Sequence, residues 1–94
     1  MRSSPPIRDL RFVPASAPLR CRGLLGWTSL TRGDLQLDCL AVRRTADGRH
    51  ALSFPARTDQ AGEQHPYYRP VDRQTQEAIE AEVLGELRRR GVLP

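Results

Sequence analysis

The sequence predicts an α+β domain, a four-stranded antiparallel sheet covered by one C-terminal helix. Three observations predict it. Four short runs of strand-like residues lie between residues 7 and 54. Pro, Gly and an Asp-Gly pair separate them, as turns require. After residue 72 a single long segment carries apolar residues every four positions, the mark of a helix packed by one face. A chain of 94 residues fits one domain and buries only a modest share of its surface.

Residues 1–6 are polar and Pro-rich, so a frayed tail is expected there, with the domain spanning 7–91. Ile7 to Val13 reads as the first strand. Alternation puts Arg8, Leu10 and Phe12 on one face, with Ile7 and Val13 on the other. Pro14 to Pro18 breaks the pattern and reads as a loop. Arg20 to Thr31 is the second strand, with Leu25 and Trp27 on one face and Leu24, Thr28 and Leu30 on the other. Gly23 and Gly26 inside it point to a bulge or a close backbone contact. Arg32-Gly33-Asp34 is a tight turn closing a hairpin.

Leu35 to Val42 is the third strand, in which Leu35, Leu37, Cys39 and Ala41 alternate with Gln36, Asp38, Leu40 and Val42. It becomes apolar on both faces from Cys39 onward, so that half is expected to be covered on both sides. Thr45 to Gly48 forms the next turn. Arg49 to Phe54 is the fourth strand, with His50, Leu52 and Phe54 on one face. Residues 56–65 hold no apolar side chain larger than Ala and read as an exposed loop. The prolines make Pro66 to Val71 extended, laying Tyr67 and Tyr68 on the sheet or along its edge.

The helix is the clearest element. Asp72 is a good N-cap. Ile79, Val83 and Leu87 mark the packed face, with Thr75 and Ala78 beside it. Glu77, Glu80, Glu82 and Glu86 occupy the wet faces, and Glu86 and Arg90 are spaced for an i,i+4 pair. Arg88 to Arg90 sit where the macrodipole favours positive charge, and Gly91 supplies the C′ residue. About 18 helical residues span ~27 Å, enough to cross four strands.

All 15 basic residues are Arg, against 11 acidic ones, for a net charge of +4. Such a balance suits an anionic partner, with nucleic acid the usual one. A GC-rich genome loads proteins with Arg in the same way, whatever they do. Cys21 and Cys39 fall in expected strands without a CxxC or a Cys/His cluster, so free, buried thiols in a reducing cytoplasm are expected. Met1 to Pro6 leads into no apolar segment of a leader, and no run approaches the ~20 apolar residues of a membrane span.

Enzyme chemistry finds no foothold. His50 and His65 have no Cys, His or carboxylate at ligand spacing, so no metal is expected. Ser29 and Ser53 lack a nucleophile elbow, and the glycines are scattered rather than gathered into a phosphate loop. No catalytic residue, cofactor or small-molecule substrate is therefore expected. With one Trp, two Phe and two Tyr, the chain can fill one thin core layer and leaves little room for a deep cavity.

The arginines remain. Arg43 and Arg44 end the third strand, Arg57 stands in the loop after the fourth, and Arg69 and Arg73 flank the start of the helix. If strand ends and helix start converge, these five form a phosphate-binding surface, since guanidinium presents a planar fork of donors. Tyr67 and Tyr68 are placed to stack on unpaired bases. The competing reading is that the arginines are solvated and partly paired with Asp38, Asp47, Asp59 and Asp72, and the tyrosines pack on the sheet.

The order of these motifs resembles the stage V sporulation protein G (SpoVG) family of septation and sporulation regulators. Ile7-Arg8-Asp9-Leu10-Arg11-Phe12 is similar to that family's V-x-D-V-R-L first strand, and Leu37-Asp38-Cys39-Leu40-Ala41-Val42 to its V-h-D-I-r-V strand. Phe54-Pro55-Ala56-Arg57-Thr58, Gly62 and Arg69-Pro70-Val71 resemble its M-P-S-K-R-T-P-D-G stretch and following H-P-I. Gln76 to Leu84 resembles its helix with I-x-x-A-V-L. The resemblance covers roughly residues 7–90. It implies the same sheet-plus-helix fold, a homodimer formed through the sheet, site-preferring binding of DNA or RNA, and a cytoplasmic role in septation or gene regulation. Arg57 sits where the family carries the first residue of its K-R pair. The reading from a different class is a protein-interaction module that binds a division or envelope partner through its sheet edge or helix face.

Overall fold

The computed structural model describes residues 5–94. The tail expected over 1–6 therefore lies, for residues 1–4, outside the described residues. The order along the chain is β1 (Ile7–Pro14), α1 (Ala17–Cys21), β2 (Leu24–Arg32), β3 (Leu35–Arg44), β4 (His50–Ser53), β5 (Ala56–Thr58), β6 (Gln64–Pro66) and α2 (Arg73–Arg89). Strands β1 to β4 form one antiparallel sheet in sequence order, and β5 and β6 form a separate hairpin. The fold is α+β, a four-stranded antiparallel sheet under a C-terminal helix.

One face of the sheet is covered. Leu10, Leu30, Leu37, Leu40, Val42 and Leu52 of the sheet meet Ile79, Val83, Leu84 and Leu87 of α2 in a single core, closed by Leu93. Burying a Leu or Val side chain is worth about 1.5–3 kcal/mol, so this layer carries much of the domain's stability. The helix starts where its sequence says. Asp72 adopts extended backbone and its carboxylate accepts the Thr75 N–H at 2.7 Å. It ends at Arg90, with Gly91 at φ +79°.

Three β-bulges reset the strand faces. In β1 the register shifts between Arg8 and Arg11, and Asp9 takes φ +54°. This extra residue moves Ile7 to the core side with Leu10 and Phe12, and turns Arg8 outward. In β2 a shift between Leu24 and Gly26 sends Leu25 inward and leaves Trp27 on the open face. In β3, Asp38 and Cys39 together oppose Ser29, with Cys39 at φ +63°. Leu40 and Val42 thereby join Leu37 on the core side, while Cys39 is exposed. Simple alternation fails at each place because a bulge adds one residue to one strand only. Gly26 supplies the expected close contact, since a Cβ there would overlap the Val13 carbonyl oxygen and the Phe12 ring.

Other expectations are corrected. The loop over Pro14 to Pro18 is partly helix, and α1 delays the second strand from Arg20 to Leu24. Pro18 stands at the helix start, where its missing N–H costs nothing. Gly23, at φ +97°, stops the helix. Cys21 therefore lies on α1, and both cysteines are free and exposed rather than buried. The exposed loop over 56–65 contains the β5–β6 hairpin, whose turn is held by the Asp59 carboxylate accepting the N–H groups of Ala61 and Glu63, each at 2.9 Å.

Candidate nucleic-acid interface

The acidic side chains decide how much positive charge stays uncovered, and most of them have structural tasks. Asp72 caps α2, and that backbone hydrogen bond holds its carboxyl below the usual carboxylate range. Asp59 binds His65 Nε2 at 2.7 Å and its own turn, and is lowered for the same reason, His65 first. Asp47 binds the Thr45 hydroxyl and Arg49, and both contacts lower it, Thr45 first. Glu80 and Glu82, expected on wet faces, instead reach to opposite edges of the sheet. Glu80 accepts the Leu52 N–H of β4 at 3.1 Å, and Glu82 the Ile7 N–H of β1 at 3.2 Å. Glu86 takes Arg89 and Arg90, and these hydrogen bonds lower its pKa.

Few carboxylates are left for the remaining arginines. Of the 14 arginines among the described residues, Arg49, Arg73, Arg89 and Arg90 lie within 4.0 Å of a carboxylate and the other ten do not. Of the pairings proposed with Asp38, Asp47, Asp59 and Asp72, only that of Asp47, with Arg49, is present among the described residues.

The fold gathers part of the expected set and divides the rest. Leu24 pairs with Arg43 across β2 and β3, and the Arg44 N–H donates to the Gly23 carbonyl at 2.7 Å. The Arg44 guanidinium donates to the Arg20 carbonyl at 3.2 Å. Arg20, Arg22, Arg43 and Arg44 thus lie at one end of the sheet, Arg20 and Arg44 beside Phe12, Leu25 and Leu93, and Arg43 beside Ala41 and Ser53. Arg57 stands on the hairpin beside this end. The Ala56 and Gln64 side of that hairpin borders Arg43, and Arg57 alternates to the other side, opposite His65. Arg69 and Arg73 are elsewhere. They lie at the start of α2, over Leu35 and Leu37, with Arg73 paired to Glu77 at 3.3 Å. The length of β3 separates the two groups by about 30 Å at ~3.3 Å per residue. Arg20 and Arg22 were missed because residues 20–31 read as one strand. The Ser16-Ala17-Pro18 start was the available signal for a helix.

The face of the sheet away from α2 is open over β1 and β2. Across it runs the row Val13, Trp27, Ala41 and Ser53, in register from β1 to β4. Val13 is 60% and Trp27 38% exposed, while Ala41 is buried beside the β5–β6 hairpin, so the open apolar surface is the Val13–Trp27 part of the row. The tyrosines diverge. Tyr68 packs edge-on against Phe54, and its hydroxyl donates to the Asp38 carbonyl at 2.6 Å. Burial, then the nearby Asp38 and Cys39, push its phenol up to about 12. Tyr67 is 70% exposed and free to stack. Folding also brings Asp59, Glu63 and His65 close together, with their ligand atoms within 4.8 Å of one another, a proximity the sequence spacing did not suggest. The Asp59–His65 hydrogen bond and the Asx turn account for that grouping.

Compared with family models, curated proteins and solved structures, the chain matches none. No helix among the described residues is long and apolar enough to cross a membrane.

Proposed function

We propose that this domain binds the phosphate backbone of DNA or RNA through Arg20, Arg22, Arg43 and Arg44, with Arg57 on the adjoining hairpin, as a cytoplasmic regulator of the SpoVG type acting in septation or gene regulation. One observation carries the reading. Ten of the 14 described arginines have no carboxylate within 4.0 Å, and four of those ten share one end of the sheet. Such a surface attracts a polyanion and releases its counterions on binding. The Arg57 of the family-like stretch adds a fifth donor, and the exposed Tyr67 is available for base stacking.

The open face, centred on Trp27 and Val13, is the surface for a homodimer formed through the sheet. An interaction module docking at a sheet edge has less support. Glu80 and Glu82 already accept an N–H from each edge strand, where an added strand would pair. The deciding test is binding of labelled DNA and RNA, single- and double-stranded, at low salt. Binding to at least one polymer is expected, and binding to neither overturns the proposal. Sedimentation at micromolar concentration tests the dimer, and monomer alone rejects it.

A further inference from the structure

A second candidate site lies at the other end of the molecule, under the first turns of α2. A pocket of about 250 Å³ opens there between β3, the Tyr68–Val71 segment and the helix. Its floor and walls are apolar, formed chiefly by Leu37, Phe54, Tyr68 and Ile79. Leu35 and Val71, 65% and 93% exposed, form its lip. Tyr68 is a fixed wall, because Phe54 and the Asp38 carbonyl hold its ring and hydroxyl. This pocket sits at the rim of the core, beside Leu37 and Ile79.

Two arginines line this apolar space. Arg32 ends β2 on the core side, following Thr28 and Leu30, and is half-buried near Thr75 and Ile79 of the helix. Its Nε is buried and has no hydrogen-bond partner. Arg69 lines the same pocket. Neither arginine has a carboxylate within 4.0 Å among the described residues, and no Asp or Glu lines the pocket. The neighbouring Asp72 carboxylate is turned to its own helix, on the Thr75 N–H. A buried donor without an acceptor costs free energy, and native structures rarely leave one. Here it lies beside an apolar pocket lined by two arginines and by no carboxylate.

We infer that this pocket binds a small organic anion, a phosphate or carboxylate group joined to a flat apolar body. The anion would sit against Arg32 and Arg69, and the apolar body between Phe54, Tyr68 and Ile79. The volume limits the ligand to on the order of ten non-hydrogen atoms, and contacts of that number give a dissociation constant on the order of 0.1–1 mM. The inference does not depend on nucleic-acid binding, because the arginine end lies about 30 Å away along β3.

Phenyl phosphate and benzoate are the probes, with inorganic phosphate and phenol as half-probes. Binding is read by thermal shift and by amide chemical-shift titration. One of the two whole probes at ten times its dissociation constant should raise the unfolding midpoint by about 5–10 °C. Whichever of the two binds more tightly identifies the headgroup. Arg32→Gln and Arg69→Gln should each weaken that probe at least ten-fold, while Arg88→Gln leaves it unchanged. Circular dichroism checks that the variants fold, and Arg69 keeps the test open if Arg32→Gln does not. The inference is overturned if neither probe binds, if inorganic phosphate or phenol binds as tightly as the whole probe, or if both folded arginine variants bind like the wild type.

Discussion

Replacing Arg20, Arg22, Arg43 and Arg44 together by Gln tests the proposed interface by a number rather than by loss of binding. Each phosphate neutralised on a duplex contributes about 0.9 to the slope of log K against log salt, and about 0.7 on a single strand. Four contacts therefore add about 3.6 units on a duplex, or about 2.8 on a single strand. Between 50 and 200 mM salt the wild type should lose about 150-fold more duplex affinity, or about 50-fold more single-strand affinity, than the variant. The assay is fluorescence anisotropy of a labelled 20-mer across that salt range, with circular dichroism to confirm that the sheet survives. Among the described residues only one hydrogen bond depends on these side chains, that from Arg44 to the Arg20 carbonyl, so the fold should be retained. Arg73→Gln is the control. It also removes one positive charge, but from an arginine already paired with Glu77 at the other end of the molecule, so the slope should hold within about 0.5 units. A slope unchanged in the quadruple variant refutes the assignment. An equal fall in the control would trace the effect to net charge alone.

The same substitution at two glycines should have opposite signs. Gly85 is exposed on α2 with open space around it, so Gly85→Ala should add about 1 kcal/mol, the helix-propensity difference, and raise the midpoint by about 4–8 °C. Gly26→Ala drives a methyl into the Val13 carbonyl and the Phe12 ring and should cost about 1–3 kcal/mol or more, as overpacking does. Thermal unfolding of both checks the pair, and a loss at Gly85 contradicts its open surroundings. Acid should destabilise the domain through Asp47, Asp59, Asp72 and Glu86, whose carboxyls are all held low when folded. Their stabilisation is complete above the ordinary carboxylate pKa of about 4 and is lost as pH falls below it. Asp72→Ala should lower the midpoint at neutral pH and flatten its fall in acid, measured by thermal scans from neutral pH downward. At the alkaline end, Tyr68 is raised from 10.0 to about 12. Stability should hold below pH 10 and decline as pH rises toward 12. Ultraviolet titration of a Tyr67→Phe variant isolates that phenol, and ionisation near 10 would contradict the packing against Phe54.

Elements with a local code were legible in the sequence. The helix was, because Asp72, the spacing of Ile79, Val83 and Leu87, and Gly91 each act within one or two turns. The Gly33 turn was legible for the same reason. The faces of β1, β2 and β3 were not. Asp9 and Cys39 take positive φ without being glycine, a choice fixed by the neighbouring strand and not by their own propensity. Reading straight through them misassigned Ile7, Arg8, Cys39 and Leu40 together, since one extra residue flips everything beyond it. The site followed suit. Arg43 and Arg44 were found because they end a strand. Arg20 and Arg22 were lost with α1, and Arg69 and Arg73 were grouped with the wrong strand end because the direction in which α2 crosses the sheet is a long-range fact.

Net charge understates this surface. A value of +4 on 94 residues describes a mildly basic protein, since 11 carboxylates nominally offset 15 arginines. That offset requires the carboxylates to lie near the arginines. Here one caps a helix, one closes a hairpin turn, and two hold the sheet's edge N–H groups beneath α2. Each is fixed by a backbone donor that would be costly to strand, so none can swing toward a guanidinium without loosening the fold. The backbone therefore competes with the arginines for negative charge and wins wherever the sheet needs an edge covered or the helix a cap. The potential at the arginine end follows from this distribution more than from the sum.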